Sequence, residues 1–212
     1  MTSSSATEAI LRLSPVMPVV TIDDSAVAAD LARALVKGGI RVIEVTLRTA
    51  AALRAIETIA RQVPEIRVGA GTVLNPVDLQ DAVQAGAAFA ISPGATPELL
   101  AAGRKCAIPY LPAIATASEL MCALAAGYRC CKFFPANVAG GVAGLKALSG
   151  PFPEARFCPT GGVTPSTANS YLELPNVLCV GGSWITPLDL QAARDWGQIE
   201  ALARAAAALR RR

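Results

Sequence analysis

Eight short runs rich in β-branched and other apolar residues recur along this chain at nearly one period, each followed by an Ala- and Leu-rich stretch of helical character. The runs fall at 16–22, 40–47, 67–70, 89–92, 107–112, 129–134, 156–159 and 177–181, with centres 23, 26, 21, 19, 23, 26 and 21 residues apart. That interval holds one strand and one helix, and helical crossovers are what join parallel strands. Helix punctuation keeps the same count. Asn75-Pro76, Thr96-Pro97, Thr164-Pro165 and Thr186-Pro187 each set a capping side chain before a proline, and Thr116 with Glu119 reads as a capping box. Glycines at Gly38-Gly39, Gly86, Gly103 and Gly127 close the intervening helices.

The expected fold is therefore α/β: a (β/α)8 TIM barrel in a single domain spanning 1–212, compact for an architecture that usually takes ~250 residues. An extra N-terminal helix is expected within 1–14, with Ile10, Leu11 and Leu13 capping the barrel floor. A closing helix with a basic tail is expected over 199–212. A doubly wound open sheet shares the alternation, but its dinucleotide-binding form needs G-x-G-x-x-G after the first strand, where Ile22-Asp23-Asp24-Ser25 stands.

Composition narrows the chemistry. There is no histidine, which removes Ser-His-Asp and Cys-His nucleophile pairs and argues against a catalytic zinc site. Acid–base work falls to Glu, Asp, Lys, Tyr or water. A net charge of +3 without a basic, aromatic-interleaved stripe gives no footprint for nucleic acid. No apolar stretch reaches the ~18 residues of a membrane span, and without a basic region, apolar core and cleavage site before the first strand no secretory leader is expected. The six cysteines form no C-x-x-C pair and mostly sit in apolar runs. The expectation is a reduced, cytoplasmic protein.

Functional groups of such barrels cluster at the C-terminal ends of the strands. There Lys132 stands in Cys130-Cys131-Lys132-Phe133-Phe134-Pro135, a cation among apolar residues, whereas Lys37, Lys105 and Lys146 fall on helices or their ends. Loss of hydration favours the neutral amine, and a neutral lysine condenses with carbonyls. The plainer alternative is a lysine whose stem packs along the strand while its head reaches solvent. On the second strand, alternation puts Glu44, Thr46 and Arg48 on one inward face, where Glu44 and Arg48 could simply neutralise each other. Thr72 in Gly71-Thr72-Val73 offers a hydroxyl beside small residues, or a local cap. Ser92-Pro93-Gly94 could be an ordinary turn, and Phe134 either shapes a dry pocket beside Lys132 or belongs to the core. Thr160-Gly161-Gly162 and Gly181-Gly182-Ser183 follow the last two strands, where backbone N–H groups commonly cradle phosphate.

Glu44-Val45-Thr46-Leu47-Arg48, Gly71-Thr72-Val73, Ser92-Pro93-Gly94 and Lys132-Phe133-Phe134-Pro135-Ala136, in this order and spacing, resemble the class I KDPG and 4-hydroxy-2-oxoglutarate (KHG) aldolases, KDPG being 2-dehydro-3-deoxy-6-phosphogluconate. The resemblance runs from about Pro18 to Ser183. It implies a lyase of the Entner–Doudoroff pathway that cleaves KDPG to pyruvate and glyceraldehyde 3-phosphate. Lys132 would form the Schiff base and Glu44 would move protons. Arg48 and Thr72 would hold the pyruvyl carboxylate, Pro93 and Phe134 would line the site, and Gly161, Gly162, Gly181, Gly182 and Ser183 would bind the phosphate. Thr160 resembles the phosphogluconate form rather than the phosphogalactonate form. The family pattern also implies a homotrimer working without cofactor or metal. From the residues alone, a non-covalent phosphosugar isomerase and a phospholigand-binding barrel stay open beside it.

Overall fold

The strand residues Val16, Val20, Ile43, Val45, Val68 and Val180 are almost wholly buried, as β-branched side chains are when a sheet is covered on both faces. The computed structural model describes residues 3–209. Its elements are α1 (Ser3–Leu11), β1 (Val16–Val20), a 3-10 turn (Ser25–Val27), α2 (Ala28–Lys37), β2 (Val42–Thr46), α3 (Ala52–Gln62), β3 (Arg67–Gly71), α4 (Pro76–Gln84), β4 (Ala90–Ile91) and α5 (Pro97–Lys105). They continue with β5 (Tyr110–Leu111), β6 (Ala113–Ile114), α6 (Ala117–Ala125), β7 (Cys130–Phe133), α7 (Gly141–Ser149), β8 (Arg156–Pro159), α8 (Pro165–Leu172), β9 (Val180–Gly182), α9 (Leu188–Ala192) and α10 (Trp196–Ala207).

The strands form a curled, TIM-barrel-like parallel sheet in two arcs, ordered β5-β4-β3-β2-β1-β9 and β6-β7-β8. The arcs part where a single strand over 107–112 was expected. Pro112 has no N–H to give to a ladder, so this strand is cut into β5, paired with β4, and β6, paired with β7. The Pro112 carbonyl still accepts from the Lys132 N–H at 2.9 Å. On the other side, bridges Phe157↔Val177 and Thr160↔Gly181 connect β8 with β9 and the residues before it.

Most of the punctuation is observed: Asn75, Thr96, Thr116 and Thr164 cap α4, α5, α6 and α8 with their side chains. Two expectations are corrected. Thr186 does not cap a helix; α9 starts two residues later, and the Thr186 hydroxyl is buried without a partner among the described residues. Gly103 does not close α5, which runs on to Lys105; it is glycine because a methyl there would meet the Tyr110 ring at 2.3 Å.

Two apolar clusters sandwich the sheet. The larger lies between strands and helices, and the smaller fills the inside of the curl with Met17, Val42, Phe89, Ile91, Leu111, Cys130, Cys158, Leu178 and Cys179. Leu11 of α1 joins the inner cluster and Ile10 packs against it, whereas Leu13, expected to help, is exposed because it lies beyond the last turn of α1. At the other end of the chain α10 packs on α2, and residues 210–212 of the expected basic tail lie outside the described residues.

Candidate active site

Register brings the chemistry together. Along β2, Val42 points into the inner cluster, so period-two alternation sends Glu44 and Thr46 to the same side. Along β7, Cys130 does the same, which turns Lys132 inward. The two meet across the curl: Lys132 Nζ donates to Glu44 Oε1 at 2.9 Å and lies 3.3 Å from Oε2. Lys132 is 5% exposed and Glu44 1%. The lysine is thus buried as its neighbours suggest, but it is not a lone cation. The alternative of a Glu44–Arg48 pair is not observed among the described residues, since the Glu44 carboxylate is taken by Lys132.

Neighbours give this pair its space. A methyl at Gly71 would sit 2.2 Å from Glu44 Oε1, so the carboxylate occupies the volume that a side chain on β3 would claim. The Phe134 ring lies just beyond β7 with its centroid 5.4 Å from Lys132 Nζ, close enough for a cation–π contact. Below, Cys158 stands beside Lys132 in the ladder. A hydrogen bond with Cys179, aided by the Lys132 charge, holds the Cys158 thiol below the usual thiol range despite its burial.

Arg48 is exposed at the rim, and its Nε donates to Thr72 Oγ1 at 3.3 Å. Thr72 has φ 59, and among the described residues only Arg194 shares a positive φ without being glycine. A β-branched residue held there is strained, and such strain gathers at functional sites. Pro93 is half-buried after β4 and borders, with Val73 and Leu74, a groove of about 410 Å³.

The loops after β8 and β9 face each other. Thr160 is buried, its N–H donates to the Phe133 carbonyl, and its hydroxyl occupies the place of a side chain at Gly181. Gly161 and Gly162 follow with φ 96 and φ 75, a left-handed pair that only glycine adopts freely. Their loop is tied to the one after β7, because Ala136 N–H donates to Thr160 O at 2.8 Å and Asn137 N–H to Gly161 O at 3.0 Å. Asn137 lies against Gly162, where an added Cβ would come within 2.5 Å of it. Asn137 was not singled out in the sequence, although it directly follows the string that holds Lys132. Ser183 is exposed, and Gly182 makes room for the Trp184 ring. The structure therefore joins Lys132, Glu44 and Phe134 directly, Arg48 with Thr72, and Thr160 with Gly181.

A buried amine beside a carboxylate, open towards a rim that carries a cation and hydroxyls, suits condensation with an anionic carbonyl compound. Among the described residues no group of three or more Cys, Asp or Glu side chains is placed to hold a metal. A groove of about 630 Å³ lies elsewhere, on the helical layer between α4 and α5, lined by Leu79, Val83, Ala101 and Lys105.

A family model described as KDPG and KHG aldolase matches residues 7–202. The KHG/KDPG aldolase of Escherichia coli (strain K12) is 52% identical over 199 residues, 94% of this chain and 93% of that one. The 2-dehydro-3-deoxy-phosphogluconate aldolase of Pseudoalteromonas atlantica is 53% identical over 194 residues, 92% and 90% of the two chains. Among solved structures, the KDPG aldolase of Legionella pneumophila, with pyruvate captured as a covalent carbinolamine, superposes with a TM-score of 0.93. It is 50% identical and covers 95% of this chain and 98% of its own.

Proposed function

As the chain belongs to the KDPG and KHG aldolase family, we propose that it is a Schiff-base aldolase that cleaves KDPG to pyruvate and glyceraldehyde 3-phosphate. The carrying observation is the buried contact of 2.9 Å between Lys132 Nζ and Glu44 Oε1. Glu44 is placed to relieve Lys132 of a proton, and the free amine adds to C2 of the 2-oxo acid. Glu44 returns that proton to the C2 hydroxyl, which leaves as water, so an iminium forms and the carboxylate is free again. The C3–C4 bond then breaks, its electron pair entering the iminium to give an enamine while the C4 hydroxyl gives its proton to Glu44, directly or through a water. Protonation at C3 and hydrolysis release pyruvate and restore Lys132.

Arg48 and Thr72 hold the carboxylate in this reading, the guanidinium fork matching its two oxygens. Pro93 and Phe134 line the reacting end. The loops carrying Thr160, Gly161, Gly162, Gly181, Gly182 and Ser183 take the phosphate. KHG shares the 2-oxo-4-hydroxy core and ends in a carboxylate, so the same pair serves it as a second substrate, and the phosphogalactonate analogue differs only in its configuration at C4. The two arcs make one closed (β/α)8 barrel with α1 under its floor, a reading supported by the β8–β9 bridges and by Leu11. Exposed Leu74, Val77, Met121, Val138 and Leu188 support association, taken as a homotrimer. The chain works in the cytoplasm without cofactor; no helix among the described residues is long and apolar enough to cross a membrane.

The test is borohydride reduction in the presence of pyruvate. A pyruvyl-derived mass should appear on the peptide holding Lys132, with irreversible loss of activity. No trapping, or trapping on another lysine, overturns the proposal and restores the non-covalent isomerase or the simple phospholigand barrel.

A further inference from the structure

The register Val19↔Glu44 and Val20↔Val45 sets Thr21, the residue after β1, opposite Thr46 on the inward side. Thr46 is buried, and Thr21 is only partly so. Thr46 Oγ1 lies 3.1 Å from the Val20 carbonyl oxygen, to which it can only donate, and 3.1 Å from Thr21 Oγ1. A hydroxyl carries one proton. With that proton given to Val20, the second contact requires Thr21 to donate to Thr46. In that order the Thr21 hydroxyl turns its proton into the sheet and offers the mouth of the curl lone pairs only.

Its position matters for a substrate held at both ends. Thr21 stands one pleat beyond Glu44, on the strand between β2 and β9, and the end of β9 carries Ser183. In the aldolase reading, on which this inference rests, C2 is fixed on Lys132 and the phosphate at the loops after β8 and β9. The carbons between them cross this region. We propose that Thr21 is a specificity-determining residue that accepts a hydrogen bond from the C5 hydroxyl of the sugar acid. At the same position KHG has a carboxylate, which has acceptors and no proton. An acceptor-only hydroxyl facing that carboxylate leaves both unpaired, so Thr21 favours polyhydroxy 2-oxo acids over dicarboxylic ones. Thr46 is the positioning residue, because its bond to Val20 decides which way the Thr21 proton points.

The experiment compares kcat/KM for KDPG and for KHG in wild type, Thr21→Val, Thr21→Ser and Thr46→Val, with pyruvate–borohydride trapping of Lys132 on each. Thr21→Val should lower kcat/KM for KDPG about tenfold, the effect of one hydrogen bond, and that for KHG less than threefold. Thr21→Ser should restore the wild-type ratio. Thr46→Val keeps the Thr21 oxygen but frees its proton, so the ratio should move towards KHG by a smaller factor. Equal losses on both substrates in Thr21→Val, or a ratio not restored by serine, would mean that the threonine pair only clamps β1 to β2 and would overturn the proposal. Should Thr21→Val fail to fold, Thr21→Ser and Thr46→Val decide alone. Absence of trapping in the wild type defeats the aldolase reading itself, whereas normal trapping with an unchanged substrate ratio defeats only the role of Thr21.

Discussion

Two buried polar pairs lie on opposite faces of the same sheet and differ in charge. Inside the curl, Lys132 and Glu44 form an ion pair at 2.9 Å. Outside it, Ser92 Oγ and Tyr110 OH are 2.5 Å apart, in the layer where Tyr110 meets the edge of Tyr128 at 5.6 Å and packs on Gly103. The second pair is neutral, one hydroxyl donating to the other. It stitches β4 to β5 and asks for nothing more. The first is charged, and burying two charges returns little net stability, since desolvation offsets most of the attraction. In the proposed reaction, a pair that folding alone would replace with leucine and methionine is kept for its chemistry.

The largest effects should separate the two pairs by activity. Lys132→Ala should lower turnover by roughly 10⁴-fold or more and abolish pyruvate trapping, because the covalent route has no other amine in place. Glu44→Gln should slow turnover by about 10²- to 10⁴-fold, the usual worth of a positioned acid–base group, while trapping persists. Tyr110→Phe should leave both readouts near wild type. Equal turnover for Glu44→Gln would remove its proton-transfer role.

Stability should sharpen the contrast in the other direction. Glu44→Leu alone strands the Lys132 charge and should destabilise the fold by about 3–5 kcal/mol, whereas Lys132→Met with Glu44→Leu should be neutral or stabilising by up to about 4 kcal/mol, measured by urea unfolding. A double variant as unstable as Glu44→Leu would make the ion pair structural.

Tyr110→Phe comes next, at about 1–3 kcal/mol, because it leaves the Ser92 hydroxyl buried and unpaired. Here pH gives an independent check. Burial pushes the Tyr110 phenol well above its usual 10.0. A group raised in this way contributes stability that is full below the unfolded value and lost as pH climbs from there towards the folded one. Wild type should therefore lose stability more steeply than Tyr110→Phe above about pH 10. Cys130, which burial raises from 9.0 to about 12, adds an alkaline slope common to both proteins. Parallel curves would show that Tyr110 titrates freely.

The same contrast explains what could be read from the residues. The repeat, the caps at Asn75, Thr96, Thr116 and Thr164, and the inward alternation of Glu44 are local patterns, so they are visible in sequence. Contacts between distant strands are not. Lys132 and Glu44 are 88 residues apart, and nothing in either string says that they touch. Gly103 looks like a helix stop until Tyr110 is seen occupying the space of its missing side chain. Pro112 is visible as a proline, but the division of one strand into β5 and β6 follows only from the neighbours on each side. The proton order of Thr21 and Thr46 requires distances. Motif resemblance implies the roles proposed for Arg48, Thr72 and the glycine loops, which periodicity could not.

Backbone strain marks the reactive side as well, and its effect is the smallest to measure. Thr72 has φ 59, whereas neither Ser92 nor Tyr110 has a positive φ. Left-handed threonine is strained by roughly 1–3 kcal/mol. Glycine removes that strain and loses roughly 0.5–1 kcal/mol of its own through chain entropy. Thr72→Gly should then raise stability by about 1 kcal/mol in urea unfolding. The same change deletes the hydroxyl that Arg48 Nε contacts at 3.3 Å, so KM should rise for every substrate that presents a carboxylate there. Thr72→Ser keeps the hydroxyl without the branched carbon, and should retain activity with part of the stability gain. A loss of stability in Thr72→Gly would show that the backbone at 72 is held without strain, and that the threonine is there for its packing rather than for what it binds.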